Sequence, residues 1–169
     1  MISHAPPDYQ CPFCLLVDGV ENTHVYTTQN EIILQTDRIT AFVASHQWRG
    51  NAPNILVIPN QHYENVYTLP ADYGNDIQKG ISKVAWGLKA IYNCAGVSTR
   101  QHNEPAGSQD VWHYHVHVTP RFKNDRFYLR SSFFRRMMPL EQRLEYAVQL
   151  KNFLSKNPKT IYPHDKRSV

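Results

Sequence analysis

The chain has 169 residues, 41% of them hydrophobic and 19% charged, with a formal net charge of +4. These values exclude wholesale disorder and fit one domain around a single core. The opening residues show neither a basic start nor an apolar stretch, and no apolar run nears the roughly 18 residues of a membrane span, so neither a secretion signal nor a membrane anchor is expected.

In chain order, residues 1–10 read as a loose N-terminal arm with two prolines. Cys11-Pro12-Phe13-Cys14 follows. Residues 24–28 and 31–36 have strand character, with Gln29-Asn30 as a tight turn between them. Residues 39–44 read as a third strand, 46–53 as a polar loop, and 55–58 as a fourth strand closed by Pro59. Ile77, Ile81, Val84, Leu88, Ile91 and Ala95 recur at steps of three and four, which predicts one long helix, with Asp72 as its cap and Gly96 as its stop. Residues 97–101 and 112–120 read as strands joined by a polar loop containing Pro105 and Gly107. A second helix is predicted over 139–154, because proline suits the first turn and Glu141 and Glu145 lie where the helix dipole favours acids. Asn157-Pro158 ends it. The fold class is therefore α+β: a mainly antiparallel sheet, one long helix and a C-terminal helix, with the domain over 11–156 and a tail over 157–169.

Chemistry concentrates in Trp112-His113-Tyr114-His115-Val116-His117-Val118-Thr119-Pro120-Arg121. Alternation along a strand puts His113, His115 and His117 on one face, about 6.6 Å apart, and sends Tyr114, Val116 and Val118 to the core. On the pattern alone, the three imidazoles are either a reactive site, an exposed sheet face or an adventitious metal site. Cys11 and Cys14 have the spacing of a zinc site, a redox pair or two free thiols. Three cysteines without a secretion signal favour a reducing, cytoplasmic setting. Cys94, on the helix face, reads as a small core residue, and Trp48, Trp86 and Trp112 as packing residues. The segment from Arg121 to Arg143 carries a local charge of +5, which suits an anionic substrate or a solvated face.

The triad segment resembles the signature of the histidine triad (HIT) superfamily. Asn103 to Val111 resembles the loop before the family's triad strand. Asp37 to Phe42 and Asn54 to Asn65 resemble its first conserved block, and the resemblance covers residues 11 to about 122. It implies a HIT-like α+β fold, commonly homodimeric with the sheet continued across the interface. It also implies an enzyme that attacks the α-phosphorus of a nucleotide-like substrate, either a nucleoside phosphoramidate or a dinucleoside polyphosphate, as a hydrolase or nucleotidyl transferase.

His115 then corresponds to the nucleophile that becomes nucleotidylated, and His117 to a hydrogen-bond donor for the α-phosphate. Gln109 and Asn103 orient the phosphate, Asp110 stands near the leaving group, and Arg121 adds positive potential. The zinc-containing branch implies a structural zinc on Cys11, Cys14, His62 and His113. The alternative class is a non-catalytic, zinc-stabilised nucleotide-binding or scaffold module, which has no need of a nucleophile between two supporting histidines. A nucleotide-like small molecule and a second copy of the chain are the expected partners; nucleic acid and membranes are not. Three positions depart from the pattern. Ala44 stands where many members carry a ribose-binding acid, Asp110 where some carry a serine or threonine, and Pro105 where glycine is frequent. His46 and His102 flank loops near the site.

Overall fold

The computed structural model describes residues 3–21, 23–130 and 135–158. Its centre is a five-stranded antiparallel sheet of β1 (Ile32–Gln35), β2 (Ile39–Val43), β4 (Ile55–Pro59), β5 (Gly96–Gln101) and β6 (Val116–Arg121), in the order β1-β2-β4-β6-β5. A second sheet pairs β3 (His46–Trp48) with β7 (Arg135–Met137). The helices are α1 (Pro12–Val17), α2 (Tyr73–Tyr92), α3 (Phe127–Arg130) and α4 (Leu140–Lys156).

The central strands β2 and β4 are buried along their whole length, because both faces of the sheet are covered. Ala41, Val43, Val57, Val116 and Val118 face α2 and α4, where Ile77, Val84, Leu88, Ala147 and Leu150 meet them. Burying one such aliphatic side chain stabilises the fold by about 1.5–3 kcal/mol. At Gly80 the helix approaches so closely that a Cβ would lie 2.6 Å from Ile39 Cδ1. Ile32, Phe42, Leu56 and Ile58 point the other way and pack against Cys11, Phe13 and Leu16 around α1. This second face carries the histidines.

The helical periodicity places α2 correctly but not its end. Asn93, at φ 47°, takes the left-handed capping position, and Gly96 instead opens β5. Cys94 is buried in the core. Pro139 is the N-cap of α4, one residue before its first turn. Residues 24–28 form no strand; Thr28 and Glu31 close a reciprocal cap on a single 3-10 turn, Gln29–Glu31. The loop expected over 46–53 begins with β3. The triad strand starts only at Val116, since residues 112–115 bend, with the His113 N–H bonded to the Val111 carbonyl. The N-terminal arm is tied down: Ser3 and the His4 N–H donate to the Glu64 carboxylate, and the Tyr9 hydroxyl accepts from the Trp112 N–H. Of the predicted tail, Asn157 and Pro158 are described and 159–169 lie outside the described residues.

Candidate active site and metal centre

Four side chains from three separate segments converge behind the bend at 112–115. Cys11 and Cys14 come from the start of α1, His62 from the loop after β4, and His113 from the bend. Their ligand atoms all lie within 4.8 Å of one another. The Cys11 and Cys14 sulfurs are 3.3 and 3.6 Å from His113 Nδ1, and Cys14 is 3.3 Å from His62 Nδ1. His113 Nε2 lies 2.9 Å from the Pro59 carbonyl, which can only accept. The proton therefore sits on Nε2, and the Nδ1 lone pair faces the sulfurs, as a ligating imidazole requires. Cys14 donates to Cys11 and both imidazoles stand beside it, which holds the Cys11 thiol far below its ordinary range while Cys14 is pushed up. Two soft thiols and two imidazoles with no open position suit a tetrahedral, structural zinc better than a catalytic one.

His115 sits beside this cluster, 1% exposed. Its Nδ1 lies 2.7 Å from the His113 carbonyl, so Nδ1 carries the proton and the Nε2 lone pair is free. Burial lowers its pKa and keeps the ring neutral, against the raising pull of the His113 carbonyl and Asp110. His117 follows on β6, its ring centroid 5.1 Å from that of His115. The amide nitrogen of the fully buried Asn54 lies 3.2 Å from His117 Nδ1, while Thr119 donates to the Asn54 oxygen. That arrangement leaves the His117 Nε2–H as a donor. Burial, with His115 and Arg135 nearby, holds His117 well below its ordinary pKa.

Both rings open onto a cleft of about 390 Å³ between α1, β3 and the segment 24–27. Phe13, Phe42, Leu56 and Ala44 give it an apolar floor, and Tyr9, Tyr26 and His46 line its walls. Asp110 is the one carboxylate among the described lining residues. Its Oδ1 is 3.9 Å from His115 Nε2, and its other oxygen pairs with Arg135. Burial alone would raise the Asp110 carboxyl, but Arg135 and His115 outweigh it and keep the group below its ordinary value, hence ionised. A second chamber of about 210 Å³ adjoins the first across Asp110, His117 and Arg135, and adds Trp48, Arg100, His102 and Ser108.

The structure gathers His113, His115, His117, Asp110 and the two cysteines with His62, but it gives three other expected residues different places. Gln109 spends all its polar atoms on backbone: its oxygen accepts from the Glu104 N–H, and its nitrogen donates to the Glu64 and Val111 carbonyls. Asn103 bridges the Val66 N–H and Gln101. Both shape the loop before the triad without lining the cleft. Arg121 is turned away to a two-bond pair with Asp125 at 2.8 Å and to Ser98. The basic segment is thus partly neutralised, from within by Arg121–Asp125 and from elsewhere in the fold by Arg135–Asp110 and Arg143–Glu31.

Asn54, Arg100 and Arg135 are the site residues that sequence reasoning missed. Asn54 stood inside a matched motif and was a legible candidate; the arginines carried no local signal. His46 and His102 both border the chambers. Trp48 packs, as expected, yet also lines the second chamber, and Trp112 stacks on His4.

The HIT-domain family model matches residues 26–124. The "Protein hit" of Bacillus subtilis is 29% identical over 120 residues, 69% of this chain and 75% of the relative. A zinc-bound histidine triad family protein from Mycobacterium smegmatis superposes with a TM-score of 0.70 at 22% identity, covering 88% of this chain and 96% of that one. A diadenosine triphosphate hydrolase from Plasmodium falciparum, solved with cyclomarin A, gives 0.66 at 17% identity, covering 92% and 90%.

Proposed function

The chain belongs to the HIT-domain family, and from that premise we propose that it is a nucleotide hydrolase or nucleotidyl transferase working through a nucleotidyl-His115 intermediate. The observation that carries this reading is the fixed tautomer of His115. Its Nδ1–H is held by the His113 carbonyl, and its Nε2 lone pair lies on the cleft side, 3.9 Å from Asp110. A neutral imidazole attacks phosphorus and leaves again when an acceptor enters. The His117 Nε2–H is suited to a non-bridging α-phosphate oxygen, a donor already oriented by Asn54 before substrate arrives. Asn103 and Gln109 act on the phosphate only through the loop they shape, and Asp110 stands nearest the bond that breaks.

The substrate is a nucleotide-like ester or amide whose nucleoside lies on the apolar floor. Ala44 leaves that floor without a carboxylate for ribose, so a sugar is held by other polar groups of the lining, Tyr26, Ser45 and His46 among them. Zinc on Cys11, Cys14, His62 and His113 would supply structure and take no part in the transfer; the gathering of these four ligand atoms, and the zinc-bound M. smegmatis neighbour, support the presence of the metal. The setting is cytoplasmic and reducing, where these thiols stay available. The protein acts as a homodimer through the β5 edge.

A scaffold or binding module would need no nucleophile, so the test is chemical. Incubation with an α-phosphorus-labelled nucleotide substrate and a rapid alkaline quench should leave label on His115. His115→Ala should remove label and nearly all turnover while keeping the fold; His117→Ala should lower the rate by about 100- to 1000-fold. Substantial turnover by His115→Ala would overturn the mechanism.

A further inference from the structure

Two cross-strand pairs build the second chamber. Arg100 stands directly opposite His117 in the β5–β6 ladder, and Arg135 directly opposite Trp48 in the β3–β7 ladder. Residues opposite one another project on one side of a sheet, so both guanidinium groups are delivered to the side of the reacting histidines. Arg100 lies 5.7–6.0 Å from the rings of Trp48, Phe127 and Tyr128, which fixes its plane. Its Nη1 is buried and has no hydrogen-bond partner among the described residues. A buried donor of a charged group without an acceptor is costly, and an acceptor oxygen in the chamber removes that cost. His102 and Ser108 border the same space, Ser108 held at φ 70°. Among the described lining residues, two permanent cations stand against one carboxylate, Asp110, which Arg135 already engages.

We propose that this chamber is a leaving-group subsite for a phosphate, with Arg100 and Arg135 as its binding residues. The preferred substrate then carries at least one further phosphate beyond the α-phosphorus. This assignment rests on the nucleotidyl-transfer reading above. When His115 Nε2 bonds to the α-phosphorus, the bond from that phosphorus to the bridging oxygen breaks, and its electron pair leaves on the second phosphate. That group departs as an anion and takes no proton. An amine leaving from a phosphoramidate would need one, and the nearest carboxyl, Asp110, is paired with Arg135. Arg135 lies beyond the 26–124 segment that the family model matches, so the chamber is completed by sequence outside it.

The probe is inorganic tripolyphosphate, titrated calorimetrically into the zinc-loaded full chain. The wild type should bind about one per chain, and Arg100→Gln and Arg135→Gln should each weaken binding by about 10- to 100-fold, with partial recovery in Arg100→Lys. Turnover should agree: the ratio of kcat/KM for diadenosine triphosphate to that for adenosine 5′-phosphoramidate should fall by about tenfold or more in each Gln variant. Thermal midpoints confirm folding, and if Arg100→Gln fails to fold, Arg135→Gln and Arg100→Lys carry the comparison. No saturable binding by the wild type, equal affinity in the variants, or an unchanged substrate ratio would overturn the subsite. Intact tripolyphosphate binding in a wild-type chain that never labels His115 would overturn the catalytic reading instead.

Discussion

At the residue scale, the two histidines proposed to act on the phosphate differ from an ordinary imidazole in the same direction. Burial lowers both His115 and His117. Both stay neutral through physiological pH, so turnover should hold constant from neutral pH downward and fall only on an acid limb below about 6.5. Stability follows the same sign. Between the lowered folded values and about 6.5, the unfolded chain binds more protons than the native one, so stability is full above about 6.5 and declines as pH falls through that window. Thermal midpoints measured from pH 8 to 5 should show the decline, and His117→Gln should have a shallower slope than the wild type. An identical slope in the variant would assign the acid sensitivity to other groups. Identity and spacing marked His115 and His117 as candidates, and both line the cleft. Side-chain orientation was not: the likeness of Gln109 and Arg121 to a family pattern says nothing of which partner captures each, and backbone carbonyls captured one and Asp125 the other.

At the element scale, alternation assigned the faces of β6 correctly, with Val116 and Val118 in the core and His117 on the opposite side. Residues 112–115 bend instead of continuing the ladder, yet Tyr114 still packs against the core while His113 and His115 lie on the other face against Phe13. The three-residue strands β3 and β7 are too short to show a period, and they pair residues about ninety positions apart, so neither they nor the Arg135 they deliver could be read locally. The Cys11, Cys14, His62 and His113 cluster joins α1, the loop after β4 and the bend. Elemental analysis should find about one zinc per chain. His113→Ala should lose the zinc and lower the thermal midpoint by about 5–10 °C, while His115→Ala should keep both. Equal zinc loss in His113→Ala, His115→Ala and His117→Ala would instead make the triad itself the metal site.

At the scale of the whole molecule, the five-stranded sheet ends at β5, a six-residue edge strand that is only partly covered along its length. An unprotected edge of that length invites pairing. Sedimentation at micromolar concentration should show a species of twice the 19.6 kDa chain mass; a single species at the chain mass would exclude the homodimer. The sequence announced the sheet and its helices, but not how late in the chain the cleft is finished.

That lateness has a consequence for synthesis. Arg143 of α4 reaches back across 117 positions to the Tyr26 carbonyl and across 112 to Glu31, the buried acid that caps the turn beneath the cleft wall. A ribosome emits the chain from its N-terminus at roughly 5–20 residues per second. The wall at 24–27 therefore emerges several seconds before the guanidinium that pins it. Until then Glu31 lacks the Arg143 guanidinium that accompanies it into the interior, so the nascent chain carries its triad before its pocket is pinned.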